Sequence, residues 1–210
     1  MATVNSARIS GSNGLKKSLP VVVALVAIFF VYQSVLRYFV WSETVYGYYW
    51  EFRLPLIAHV TGGLIALLAG VWQVWTGLNV QAMTVHPWTG RLYVLGVLLG
   101  SFGAFVLSFT SALFGFAWAA GLVCLALAWL ATTGTALYAI RKRNLLLHKQ
   151  WMIRSYIVTF AFVVFRLVTD YVPYEAWWGV SRPEMSTAAI WAVWVLPLLA
   201  YEIALGSRRA

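Results

Sequence analysis

Residues 54–77 read LPLIAHVTGGLIALLAGVWQVWTG, and none of them carries a formal charge. A helix crossing the hydrocarbon core of a bilayer needs roughly 20 apolar residues. This stretch supplies them in one run. Working outward, comparable runs lie at 20–40, 90–109, 113–140, 151–170 and 187–205. Six spans with only short connections predict an all-α, polytopic membrane bundle. The composition agrees, with 62% hydrophobic and 10% charged residues in a chain of 210. A water-soluble domain carries about 25% charged residues, so a separate soluble catalytic domain and a Rossmann unit are excluded. Pro20, Pro55 and Pro87 stand at span starts, where a first turn has no use for the backbone N–H. Pro197 falls inside the last span, where a kink is expected.

Charge orients the bundle. With the N-terminus inside, eleven basic residues lie on the inner side: Arg8, Lys16, Lys17, Arg91, Arg141, Lys142, Arg143, Lys149, Arg154, Arg208 and Arg209. The outer side holds four, Arg37, Arg53, Arg166 and Arg182, together with five of the six acids. This positive-inside pattern places both termini in the cytoplasm of a bacterial inner (plasma) membrane. It also explains the net charge of +9 without a nucleic-acid partner. Residues 1–19 read as a flexible cytoplasmic lead, 20–205 as the transmembrane domain and 206–210 as a basic tail. The aromatics of the outer loops read either as an interfacial belt or as the lining of an entrance. One cysteine, Cys124, excludes an intramolecular disulfide and reads as a small buried residue. Thr132, Thr133 and Thr135 are expected to bond back to their own helix.

Two helical faces carry the chemistry. At 100° per residue, His59, Gly62, Gly63, Ala66, Gly70, Gln73 and Gly77 share one side of the second span. Such a stripe either packs against a neighbouring helix or admits a flat macrocycle with His59 as axial ligand. On the fifth span His148, Met152, Ser155, Thr159, Arg166 and Asp170 form a second stripe. Arg166 and Asp170, four apart, are positioned to pair, and ionisable groups at membrane depth mark functional sites.

The third and fifth spans begin on the same side with a shared pattern. His86-Pro-Trp88-Thr-Gly90-Arg91-Leu-Tyr93 parallels His148-Lys-Gln-Trp151-Met152-Ile-Arg154-Ser155-Tyr156. In each, Arg follows Trp by three and Tyr follows Trp by five. Two imidazoles at matching depth either ligate one metal or haem iron or sit in solvated loops.

From His59 to Arg166 the chain resembles a bacterial family of multi-span membrane proteins of unknown function. The family pattern is a His, then Gly and Gln, matched by His59, Gly63 and Gln73. A His-Arg-x-x-Gly-Arg-x-Tyr motif follows, matched by His86, Gly90, Arg91 and Tyr93, with Pro87 in place of Arg. A His-x-x-Trp-Met-x-Arg-Ser-Tyr motif with a later Arg is matched by His148, Trp151, Met152, Arg154, Ser155, Tyr156 and Arg166. The resemblance implies candidate residues and no reaction. At the level of fold, histidines on several helices are also similar to transmembrane cytochrome b carriers.

Three functions are compatible with these residues. The first is a redox protein with haem b, ligated by His86 and His148, an outer haem at His59 needing a further ligand from elsewhere. The second is an accessory subunit of a larger membrane complex. The third is a quinone-type site near His59, Arg166 and Asp170. Gly63, Gly70, Gln73, Arg91, Tyr93, Arg154 and Tyr156 complete the candidate binding residues. No hydrolase or phosphate-loop signature is present.

Overall fold

The computed structural model describes residue 18 and residues 21–78, 83–110 and 115–207. Most of the expected 1–19 lead, Pro20 and the last three residues of the basic tail, Arg208 and Arg209 among them, lie outside that range. Six helices are long and apolar enough to cross a membrane. We label them α1 (Val21–Phe39), α2 (Arg53–Leu78), α3 (His86–Thr110), α4 (Phe116–Arg141), α5 (Leu145–Tyr171) and α6 (Arg182–Gly206). Helices α3, α5 and α6 begin four to six residues earlier than the apolar runs, because hydrophobicity does not mark polar first turns such as those that carry His86 and His148.

Local chemistry sets the ends. Pro55 and Pro87 occupy first turns. Asn144 accepts a hydrogen bond from the Leu147 N–H at 3.0 Å and caps α5. The Ser181 N–H and hydroxyl both donate to Glu184 at the head of α6. Pro197 is accommodated within α6, which runs on to Gly206. Short helices at Glu43–Tyr46, Gly47–Phe52 and Tyr174–Trp178 join the spans at one end, rich in Trp and Tyr, which we call the aromatic end. The opposite, basic end holds Arg91, Lys142, Lys149 and Arg154.

Packing is built from two hairpins, α2–α3 and α4–α5, with α6 against α4 and α5. Glycine lets α2 and α3 touch backbone to backbone. A Cβ on Gly62 would collide with the Gly100 N–H and come within 2.6 Å of the Gly96 carbonyl. One on Gly96 would stand 2.7 Å from the Ala66 nitrogen. The main core collects Ala66, Tyr93, Val97, Leu125, Trp129, Val158 and Ile190 from the five helices α2 to α6. Helix α1 leans on this bundle through Ala27, packed with Leu67 of α2 and Val163 of α5. Its second half changes winding, with a π turn at Val31–Val35 and a 3-10 turn at Leu36–Phe39. The π turn carries two buried residues, Ser34 and Val35.

Candidate functional site

A cavity of about 380 Å³ opens inside the aromatic half, with walls from all six helices. Pockets for small molecules commonly enclose about 300–1,000 Å³. Its sides are apolar, including Leu64, Leu67, Leu122, Phe162 and Val163. Its polar groups are few and placed at distinct levels. Helix rise puts His59, six residues into α2, about 9 Å from the aromatic end. Arg166 lies five residues from the end of α5, about 8 Å deep, so the two flank the cavity at one level. Thr159 marks the floor at about 18 Å.

The His59 tautomer follows from its partner. Nδ1 lies 2.9 Å from the Gly100 carbonyl oxygen, which can only accept. Nδ1 therefore carries the hydrogen, and Nε2 of the neutral ring is an acceptor. Close approach of Gly103 to the backbone at Pro55 and His59 places α3 near enough for this bond. Arg166 donates through Nη2 to the Tyr38 hydroxyl at 3.1 Å, and its Nη1 stands 3.6 Å from Asp170. Asp170 also meets Arg182 at 3.3 Å, so two guanidinium groups share one carboxylate at the mouth. A guanidinium has more donors than these contacts use, and Arg166 lines the cavity.

Below the floor lies a buried hydroxyl network. Tyr93 Oη is 2.7 Å from both Ser155 Oγ and Thr159 Oγ1. Ser155 Oγ is 2.7 Å from Thr133 Oγ1, and the Trp129 indole N–H donates to Thr159 at 2.8 Å. This ties α3, α4 and α5 together. Thr132 and Thr135 bond back to Ala128 and Ala131 as expected, whereas Thr133 reaches across to α5. The expectation fails there because a partner hydroxyl stands within reach. Cys124 is partly exposed rather than buried.

At the basic end, both histidines occupy first turns of helices, not loops. His86 Nδ1 is 2.7 Å from Thr76 Oγ1, which also lies 2.9 Å from the Trp72 carbonyl oxygen. His148 Nδ1 is 2.9 Å from the Ala136 carbonyl oxygen. Gln73 is buried and donates to the His86 carbonyl at 2.6 Å and to the Thr89 hydroxyl. The shared motif has shared geometry. Arg91 stacks over Trp88 at 4.4 Å and Arg154 over Trp151 at 4.7 Å. Arg154 additionally grips Glu202 of α6 through two contacts of 2.6 and 2.8 Å.

The candidate residues therefore divide into three places. His59, Gly63 and Arg166 meet at the cavity, with Asp170 behind Arg166. Tyr93 belongs to the hydroxyl network, and Tyr156 fills the space over Gly70, its hydroxyl 3.4 Å from the Leu67 carbonyl. Gln73, His86, Arg91, His148 and Arg154 lie at the basic end. The α2 stripe is not a surface for a macrocycle along its length, because α3 occupies Gly62 and the Tyr156 ring occupies Gly70. Only beside Gly63, where a Cβ would meet nothing within 4 Å, does it border open space. The three histidines do not gather into one metal centre, and no cluster of three or more His, Cys, Asp or Glu side chains exists among the described residues. Ser34, Tyr38 and Ser186 escaped the sequence reading. The π and 3-10 turns of α1 and the start of α6 bring them to the cavity, and none of these carries a spacing signal.

Comparison with known families matches residues 56–205 to a family described as predicted membrane protein (DUF2306). The chain belongs to this family. The matched segment covers α2 to α6, so the cavity wall supplied by α1 lies outside it. No curated protein and no solved structure matches the chain. It is an integral membrane protein, multi-pass in architecture and in contact with the lipid bilayer.

Proposed function

We propose that this DUF2306 protein binds a quinone-type small molecule of the lipid phase in the six-helix cavity. The observation carrying this reading is the pairing of a donor, Arg166, with an acceptor, His59 Nε2, at one level of an apolar-walled cavity. A quinone carbonyl accepts from a guanidinium, and a quinol hydroxyl donates to a neutral imidazole. The apolar sides toward Leu64 and Phe162 suit the ring and the start of an aliphatic tail. Thr159 connects the floor to the Tyr93 network, which holds the three helices behind it in fixed register. We further propose that the basic end faces the cytoplasm of a bacterial inner membrane, because cationic residues concentrate there. The cavity then opens toward the outer half of the bilayer.

The test is a titration of the detergent-solubilised protein with a short-chain ubiquinone, followed by tryptophan quenching through Trp118 of the cavity wall. His59→Ala and Arg166→Ala are each expected to weaken binding about tenfold or more, the loss of one charge-assisted or buried hydrogen bond. Unchanged binding in two well-folded variants removes the site. Native-gel migration of the same preparations reports whether the chain works alone or as a subunit of a larger complex.

A further inference from the structure

A pair of similarly held histidines stands at the opposite end of the bundle. The hairpins α2–α3 and α4–α5 repeat one construction. In each, the second helix opens with a histidine whose Nδ1 is tied back to the first helix, to Thr76 in one and to Ala136 in the other. In each, an arginine five or six residues later stacks on a tryptophan three residues before it.

Register places the two histidines at matching positions of α3 and α5. Tyr93 follows His86 by seven residues, and Ser155 follows His148 by seven. Seven residues make two helical turns, so each histidine shares a face with the later residue, about 10 Å nearer the basic end. Tyr93 and Ser155 touch across the α3–α5 boundary at 2.7 Å. The helices run in the same direction, so His86 and His148 stand on either side of that boundary at a common level.

The hydrogen bonds fix the rings for ligation. The Ala136 carbonyl can only accept, so His148 carries its hydrogen on Nδ1 and presents a lone pair at Nε2; His86 does the same in the tautomer whose Nδ1 donates to Thr76 while the Thr76 hydroxyl donates to the Trp72 carbonyl. Among the described residues neither Nε2 has a hydrogen-bond partner. An Nδ1–H held by a protein acceptor is the usual outer-shell support of a metal-bound imidazole, orienting the ring and raising its basicity.

We infer that His86 and His148 ligate one transition-metal centre between the two hairpins, through Nε2 of each. Two imidazoles suffice for the axial positions of haem b and equally for a free borderline ion such as Cu(II) or Zn(II) completed by water. The shared chemistry is bis-imidazole ligation, and its source is read by experiment. This site is remote from the cavity, so its failure leaves the quinone reading standing and the converse also holds.

The test uses the full chain purified from cells supplied with haem precursors, copper and zinc. Elemental analysis and an absorption spectrum before and after dithionite read the metal as isolated, and titrations with haemin and with Cu(II) read it after reconstitution. About one equivalent per chain is expected. A Soret and α-band pair identifies haem, and metal without it identifies a free ion. His59→Gln keeps the full amount, whereas His86→Gln and His148→Gln each lose at least tenfold in affinity. Pulsed EPR of the Cu(II)-loaded unmodified protein supplies a reading independent of variant folding, and two coordinated imidazoles are expected. The inference is overturned if the protein binds neither haem nor metal by any route, if both variants retain the full amount, or if fewer than two imidazoles coordinate.

Discussion

Gly62 and Gly63 are neighbours in the chain and have opposite surroundings, which makes them a sharp test of the packing. A Cβ on Gly62 would stand 2.6 Å from the Gly96 carbonyl oxygen and 2.7 Å from Gly100 Cα. Ordinary contacts need almost an ångström more, and the atoms in the way are backbone, which cannot rotate aside. Helix α3 must move away from α2. That movement also loosens the Gly96–Ala66 and Gly103–Pro55 approaches, which share the interface. Overpacking of this kind costs about 1–3 kcal/mol. The helical preference for Ala over Gly returns at most about 1 kcal/mol. Gly62→Ala is therefore expected to destabilise by up to about 2 kcal/mol net. Gly63→Ala meets nothing within 4 Å and should leave stability unchanged or raise it by up to about 1 kcal/mol. Equilibrium unfolding by SDS in mixed micelles, or steric trapping in bicelles, measures both. If Gly62→Ala proves as stable as Gly63→Ala, the backbone contact between α2 and α3 is wrong, and the position of His59 against Gly100 goes with it.

Other expectations follow from the same geometry. Gly63→Leu places a branched side chain in the cavity and should abolish quinone binding while the unfolding free energy stays within about 1 kcal/mol of the parent, read by quenching and by unfolding together. Tyr93→Phe removes two interhelical hydrogen bonds, yet Ser155 keeps Thr133 and Thr159 keeps Trp129. Its cost should therefore be about 1–2 kcal/mol in the same unfolding assay, and a value near zero would show that the network is not formed. Glu202→Ala strips Arg154 of its carboxylate while the guanidinium stays largely buried between Trp151 and Tyr201. Because Glu202 is half exposed, the expected loss is about 1 kcal/mol, and α6 should exchange amide hydrogens faster relative to α5.

Much of the fold was legible because a bilayer imposes one dominant rule, that backbone polar groups be satisfied inside long apolar helices. Residues 54–77 announce a span by length and lack of charge, and the starts of α3 and α5 announce their common side through His, Trp and Arg. The pairing of Arg166 with Asp170 follows from their spacing alone. What stayed hidden depends on which helices are neighbours. The α2 glycine stripe has its counterpart in Gly96, Gly100 and Gly103 of α3, and only three-dimensional contact shows that Gly62 is filled while Gly63 is open. Thr133 looked like a residue satisfied within its own helix until Ser155 appeared opposite it. Ser34 and Tyr38 reach the cavity because α1 changes winding at Val31–Val35, and no hydrophobic pattern signals a π turn.

The account rests most heavily on the cavity between His59 and Arg166 as the place where a ligand head group lies. Photolabelling of the detergent-solubilised protein with a short-chain azidoquinone, followed by peptide mass mapping, addresses it directly. Adducts on cavity-wall segments of α2 and α5, such as those holding Leu64 and Phe162, and their suppression by excess unlabelled quinone, are the expected result. Labelling spread over lipid-facing residues such as Phe102 and Leu196, undiminished by competitor, would contradict it.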